Sequence, residues 1–195
     1  MSCVIKNLTK IYPFESGENV IFDNFSLEFQ TDEITVFLGK SGCGKTTLLR
    51  LLADLEDMDA GEIDFFDEKG TKIYPKIGMV FQEPRLLPWR DVLGNVLIHQ
   101  EKQEESLGLK WLAQVGLADY AHTYPDELSG GMSARVAIAR ALSYEPELLL
   151  MDEPFAALDY FTRAELEKET IRLSREQNLG VVFITHDLDE ALLMA

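Results

Sequence analysis

The chain has 195 residues, which is enough for one domain with a substantial core or for one domain that carries an inserted lobe. Its 18 lysines and arginines stand against 34 aspartates and glutamates, and the formal net charge of −16 argues against a nucleic-acid-binding surface. The two cysteines, Cys3 and Cys43, provide no disulfide framework, and no apolar run approaches the length of a membrane span, so we expect a cytoplasmic protein.

Apolar runs in the first part of the chain predict two kinds of strand. Residues 3–8 and 20–29 are typical of strands on either side of a Pro/Gly-containing turn at 13–17, which predicts a small antiparallel layer. Residues 34–38 form a short, β-branched apolar run, as expected for a strand that is buried on both faces of a parallel sheet. Another apolar strand is predicted at 77–81.

A phosphate-binding motif lies between the strand at 34–38 and a helix predicted over 46–53. Residues 39–47 read Gly-Lys-Ser-Gly-Cys-Gly-Lys-Thr-Thr, a complete G-x-x-x-x-G-K-[ST] loop. The glycines let backbone N–H groups turn towards phosphate oxygens, and the helix N-terminus adds its positive dipole end. An ordinary glycine-rich turn is the alternative, but the flanking strand and helix favour nucleotide binding. The candidate nucleotide-binding residues are Gly39, Lys40, Ser41, Gly42, Cys43, Gly44, Lys45, Thr46 and Thr47.

Three residues at the end of this loop have separate predicted roles. We expect Lys45 to reach the β- and γ-phosphates, Thr46 to give its hydroxyl to Mg²⁺, and Thr47 to contact an α-phosphate oxygen. We interpret Cys43 as a small residue that fits the loop, with a redox switch as the alternative.

The segment that follows the predicted helix is strongly acidic. Residues 54–68 hold eight carboxylates and no lysine or arginine. We interpret this segment as a solvated face, with a cation site as the alternative.

Prolines punctuate helical patterns between residues 84 and 146, where the strand signal is weak. This predicts a helical segment inserted into an α/β core. The core resumes with a buried strand at 148–151, a long polar helix at 160–177, a strand at 181–184 and a closing helix at 188–194.

The predicted fold class is therefore α/β, with a P-loop NTPase core built on a mainly parallel sheet, a small antiparallel β layer and an inserted α-helical subdomain. We expect a single domain over residues 1–195. Its core is predicted to comprise 1–83 and 147–195, and its helical subdomain 84–146.

Two adjacent carboxylates end the apolar strand at 148–151. The ligand site of an open parallel sheet lies at the carboxyl ends of its strands, so Asp152 and Glu153 are predicted to face the nucleotide. We expect Asp152 to hold Mg²⁺, and Glu153 to orient and polarise the attacking water. Two carboxylates that merely solvate a strand end are the alternative.

One further motif, at residues 128–132, makes the chain resemble the nucleotide-binding subunit of an ATP-binding cassette (ABC) transporter. Residues 128–132 read Leu-Ser-Gly-Gly-Met and match the signature loop of that family, which usually ends in Gln where this chain has Met132. The resemblance implies that Ser129, Gly130 and Gly131 close over the ATP bound by a second copy, so that two ATP molecules lie in a head-to-tail dimer.

The resemblance extends to four more positions in the expected order. It implies that Tyr12 stacks on adenine and that Gln82 contacts Mg²⁺ or the attacking water. It also implies that Asp159, in the sequence Ala157-Leu158-Asp159, touches the opposite site, and that His186 contacts the γ-phosphate.

The sequence after Gln82 narrows the resemblance to one group of importers. Residues 81–89 look like those of ATPases that serve nitrate, sulfonate, taurine and thiamine-precursor importers, and Leu86, Leu87 and Trp89 would form a socket for a permease helix. Internal packing of these side chains is the alternative. The implied partners are a second ATPase subunit, permease subunits and, indirectly, a substrate-binding protein, at the inner face of the membrane. Family members usually continue beyond the position of Ala195. A non-transport ABC ATPase and a non-hydrolysing regulatory module are the alternatives.

Overall fold

The computed structural model describes residues 1–14, 17–100, 104–156 and 158–194. Within these ranges, eight strands form two four-stranded sheets, one antiparallel and one parallel. The helices are α1 (Lys45–Leu52), α2 (Val92–Val96), α3 (Glu105–Gln114), α4 (Gly130–Ser143), α5 (Tyr160–Gln177) and α6 (Leu188–Met194). None of the helices in these residues is both long and apolar enough to cross a membrane.

The antiparallel sheet has the order β2-β1-β4-β5. Its strands are β1 (Ser2–Phe14), β2 (Gly17–Gln30), β4 (Ala60–Phe66) and β5 (Lys72–Ile73). The first two strands confirm the predicted hairpin, but they pair as far as Phe14 and Gly17, so the turn predicted at 13–17 was too long. Residues 15 and 16 lie outside the described part of the chain.

Two carboxylates of the acidic segment at 54–68 form ion pairs with lysines of this sheet. Glu62 lies 3.1 Å from the ammonium of Lys6, and Glu56 lies 3.1 Å from that of Lys10. These lysines belong to β1, which becomes a neighbour of the acidic segment only when the sheet forms. Glu62 is nevertheless 53% exposed, so the prediction of a solvated face holds there, whereas it was wrong for Glu56, whose side chain is only 20% exposed. In the described residues no group of three or more His, Cys, Asp or Glu side chains is arranged to hold a metal ion.

The parallel sheet confirms the predicted α/β core. Its strands are β3 (Ile34–Leu38), β6 (Ile77–Val80), β7 (Leu148–Asp152) and β8 (Gly180–Thr185), in the order β3-β8-β7-β6. The two central strands are completely buried. Strand β3 stands at the end of this strand order; Val36 and Phe37 pack against the apolar clusters on its two faces, but both are only partly buried, so the predicted burial of β3 is incomplete.

The alternating side chains of β7 divide the core into two apolar clusters. Leu149 and Met151 pack on the side of α2, α3, α4 and α5, whereas Leu148 and Leu150 pack with α1 and the antiparallel sheet. The parallel sheet is thus covered on both faces, as such sheets require. This arrangement brings the phosphate-loop helix and the carboxyl end of β7 together.

Candidate nucleotide-binding site

The phosphate loop connects the end of β3 to the N-terminus of α1. The ammonium of Lys45 donates hydrogen bonds to the carbonyl oxygens of Gly39, at 2.7 Å, and Lys40, at 3.1 Å. Gly44 caps the helix at φ +97°, and a Cβ there would lie 2.7 Å from the side chain of Ile21. Both the backbone conformation and the close approach of β2 therefore require glycine at this position.

The end of β7 places a carboxylate against the first turn of α1. The Thr46 hydroxyl donates to Asp152 Oδ1 at 2.9 Å, which joins residues 106 positions apart. Burial raises the pKa of Asp152, although the hydrogen bond from Thr46 favours the ionised form. A hydroxyl and a carboxylate are hard oxygen ligands, so this pair fits the Mg²⁺ that the sequence predicts here.

Glu153 joins the phosphate loop to the end of β8. Its Oε2 lies 2.7 Å from His186 Nδ1, and its Oε1 lies 3.8 Å from Lys45 Nζ. The backbone of Glu153 has φ +44°, an uncommon conformation for a residue with a side chain, and its N–H donates to the carbonyl of Ile184 at 3.0 Å. The chain turns sharply here, so Asp152 and Glu153 make different contacts although they are adjacent.

The phosphate loop forms one wall of a cleft of about 430 Å³. The cleft brings together residues that are far apart in the sequence, as predicted: Tyr12, Gln82 and Glu153 line it with the loop. Asp152 is joined to it through Thr46, and His186 through Glu153. The loop residues that line it are Ser41, Gly42, Gly44, Lys45, Thr46 and Thr47.

Two residues of this cleft escaped the sequence analysis. Asn19 and Ile21 line it from β2, opposite the phosphate loop. Neither belongs to a recognisable motif, and only the long hairpin of β1 and β2 brings them to this position. The local feature of the sequence that relates to Ile21 is Gly44, because a glycine at this position leaves room for the Ile21 side chain.

The loop at 129–131 and Asp159 are not among the residues that line this cleft. Ser129 caps α4 by accepting a hydrogen bond from Met132 N at 3.3 Å, and Asp159 caps α5. A Cβ on Gly131 would lie 2.6 Å from Thr162 Cγ2, so the first turns of α4 and α5 are in close contact. The two segments predicted to contact a second copy are therefore neighbours. Ala157 lies outside the described residues.

Hydrogen bonds fix the charge of Asp159. The Thr162 side chain and backbone N–H both donate to its carboxylate and lower its pKa. The carboxylate is therefore ionised at neutral pH.

The fold and the cleft define this chain as a P-loop nucleotide-binding protein. The family model described as "ABC transporter" matches residues 22–156. The chain belongs to the ABC transporter family, and the predicted fold, ATPase class and ligands, ATP and Mg²⁺, are those of its ATP-binding subunits.

Sequence relatives include ATP-binding proteins of importers. The chain is 43% identical over 186 residues to the aliphatic sulfonates import ATP-binding protein SsuB 1 of Xanthomonas axonopodis pv. citri, with 92% of this chain and 74% of that protein aligned. It is 38% identical over 198 residues to SsuB of Bacillus cereus, with 100% of this chain and 79% of that protein aligned.

A solved structure with the same fold is the dimeric structure of a post-hydrolysis state of an ATP-binding cassette bound to ADP and Pi. Its TM-score is 0.85 at 30% identity, and the superposition covers 98% of this chain and 91% of that chain.

Proposed function

We propose that this chain is the ATP-hydrolysing subunit of an ABC importer and that two copies close head to tail around two MgATP molecules. The observation that carries the proposal is the division of the site. The phosphate loop and Glu153 share one cleft, whereas the loop at 129–131 and Asp159 do not line it and stand at the starts of two helices that are in contact with each other. One chain thus offers two half-sites, which a second copy completes.

The phosphate loop and α1 hold the triphosphate. Lys45 exchanges its hydrogen bonds to the loop carbonyls for contacts to the β- and γ-phosphates. Thr46 and Asp152 would hold Mg²⁺, which would supply positive charge next to the phosphate oxygens. Local positive groups are essential because the chain as a whole carries a net charge of −16 and repels the nucleotide at long range.

Glu153 activates the water that attacks the γ-phosphate. Its carboxylate accepts the proton of that water or orients it, and His186 holds the carboxylate in place from the end of β8. Gln82 completes the positioning of the water from the end of β6, and Lys45 stabilises the transferred phosphoryl group.

The second copy supplies Ser129, Gly130, Gly131 and Asp159. The loop at 129–131 offers a hydroxyl and backbone N–H groups at the start of the 14-residue helix α4, which suits an anion. Asp159 carries a negative charge, and the contact between α4 and α5 keeps this charge close to the loop at 129–131.

The helical subdomain at 84–146 carries the contact to the permease. Trp89 is 71% exposed and offers an aromatic ring for this contact, whereas Leu86 packs partly buried against the apolar core cluster, which departs from the prediction that Leu86 forms part of the socket. We infer that a permease helix docks here and keeps the subunit at the inner face of the membrane. The similarity to SsuB proteins favours sulfonates as cargo, with nitrate, taurine or a thiamine-pyrimidine precursor as the related choices.

Substituting Glu153 tests the catalytic assignment. We expect Glu153→Gln to bind ATP and to hydrolyse it about 10²–10⁴-fold more slowly, because the amide cannot accept the proton. Glu165→Gln is the matched control, since Glu165 also pairs with a cation, Arg135, but on the surface of α5. If Glu153→Gln hydrolyses ATP as fast as the parent, Glu153 is not the base.

Purification of the native complex tests the importer. A permease that co-purifies with the subunit and stimulates its ATPase activity supports the proposal. A complex with ribosomes or DNA would instead identify a non-transport ATPase. ATP binding without hydrolysis, with or without the permease, would identify a regulatory module.

A further inference from the structure

A polar clamp ties Tyr12 to the segment that follows α1. The Tyr12 hydroxyl donates to Glu56 Oε1, and the same oxygen lies 3.1 Å from the ammonium of Lys10. The ammonium of Lys10 also donates to the carbonyl of Asp57 at 2.7 Å. The Tyr12 ring is therefore held at its hydroxyl end by a carboxylate that is itself fixed by a buried lysine.

Lys10 also limits how the Tyr12 ring can be used. Its ammonium lies over the ring, 5.1 Å from the centroid, which is a favourable cation–π distance. One face of the ring is thus occupied, and the opposite face is left for a base. Because Tyr12 lines the nucleotide cleft, its orientation determines whether a base in the cleft can stack on it.

The backbone of β1 is fixed to the same segment. Asp59 accepts a hydrogen bond from Ile11 N at 2.7 Å, and Asp59 N donates to the carbonyl of Thr9 at 3.0 Å. The segment is joined in turn to the end of α1, where Leu55 N donates to the carbonyl of Arg50 at 2.9 Å. The N-terminus of α1 holds the phosphate loop, so one short helix connects the phosphate site to the support of Tyr12.

We propose that Glu56 is a positioning residue for base recognition: it orients the Tyr12 ring and, through α1, fixes the distance between the base platform and the phosphate loop. The proposal rests on the proposed function, because it requires Tyr12 to stack on adenine. Glu56 does not touch the nucleotide; it acts through the hydroxyl of Tyr12.

The charge of Glu56 is suited to this role. The hydrogen bond from Tyr12 and the neighbouring Lys10 lower the pKa of Glu56, against the opposing effect of burial. The carboxylate is therefore ionised at neutral pH and accepts both hydrogen bonds.

The test compares MgATP with magnesium tripolyphosphate, which carries the phosphates but no base. The affinity of each is measured calorimetrically for the parent chain, Glu56→Ala, Glu56→Gln, Tyr12→Phe, Tyr12→Ala and the double variant Glu56→Ala/Tyr12→Phe. The matched control is Glu62→Ala, which also removes an ion pair to a lysine of β1, Lys6, but does not contact Tyr12.

We expect Glu56→Ala and Tyr12→Phe each to weaken MgATP binding by about three- to tenfold, as the loss of one typical hydrogen bond would. Tripolyphosphate affinity should stay unchanged in both. The double variant should be no weaker than the worse single variant, because both remove the same interaction. Glu56→Gln should retain part of the affinity, since its amide oxygen still accepts from Tyr12, and Glu62→Ala should match the parent.

Three outcomes overturn the proposal. An additive double variant means that Glu56 does not act through Tyr12. An equal loss of ATP and tripolyphosphate affinity in Glu56→Ala means that the clamp is only structural. A Tyr12→Ala variant that loses ATP affinity while Glu56→Ala does not means that Tyr12 needs no support. If Tyr12→Ala itself binds ATP like the parent, adenine stacking fails, and with it that part of the proposed function.

Discussion

The contact between α4 and α5 allows a sharp test of how the signature loop is held. In Gly131→Ala the new Cβ would lie 2.6 Å from Thr162 Cγ2, whereas carbon atoms in contact normally stay about 3.5–4.0 Å apart. The first turns of the two helices must therefore separate by about 1 Å, or Thr162 must leave its rotamer. Overpacking of this kind costs about 1–3 kcal/mol.

We expect Gly131→Ala to lower the free energy of unfolding by that amount and the melting temperature by about 2–4 °C for each kcal/mol. ATPase activity should also fall, because the displaced turn carries Ser129 and Gly130. The measurements are urea denaturation and steady-state hydrolysis.

Two matched variants decide whether the close contact is the cause. Gly130→Ala places its Cβ 3.9 Å from the nearest atom, an ordinary contact, so it should leave stability within about 0.5 kcal/mol of the parent. Thr162→Ser removes the methyl group but keeps the hydroxyl near Asp159, so it should restore much of the stability lost in Gly131→Ala. If Gly131→Ala is as stable as the parent, or if Thr162→Ser restores nothing, the reasoning is refuted.

Two further predictions follow from the environments of Asp152 and the cysteines. Because burial raises the pKa of Asp152, its ionised form destabilises the folded, nucleotide-free chain, and this loss of stability develops as the pH rises through the raised pKa. Asp152→Asn should abolish ATP hydrolysis, yet by calorimetry its melting temperature at pH 7 should be a few degrees higher than that of the parent. This difference in melting temperature should shrink as the pH is lowered. A melting temperature below that of the parent at pH 7 would contradict the prediction. Burial raises the pKa of Cys3 to about 12, whereas Cys43 is exposed. A thiol reagent at pH 8 should therefore label only Cys43 in the native chain, and MgATP should slow that labelling. Labelling of Cys3 at the rate of Cys43, or no protection of Cys43 by MgATP, would count against the site.

Local patterns predicted much of the fold. The apolar run at 34–38 and the polar helix at 160–177 have the predicted bounds, because strand and helix periodicity depend on neighbouring residues. The phosphate loop and the two carboxylates at the end of β7 were also recognisable, since each is a short motif that ends or begins a regular element.

The remaining features depend on contacts between distant segments. Strand order placed β3 at a sheet edge, and no property of its own five residues could have shown this. The pairing of Glu56 with Lys10 and Tyr12 likewise joins segments more than 40 residues apart, so the acidic run looked solvated in the sequence. Asn19 and Ile21 reached the cleft in the same way, through strand pairing.

The central claim, that each ATP site is shared by two copies, can be tested with two defective chains. Lys45→Ala damages the phosphate loop, and Gly130→Asp places a negative charge on the loop at 129–131, where the Cβ fits without a clash. Each variant alone should be inactive. Mixed in equal amounts, they should recover about a quarter of the parent ATPase activity, because half of the dimers are mixed and each contains one intact site of two. A mixture of dimers that is no more active than the separate variants would contradict the account.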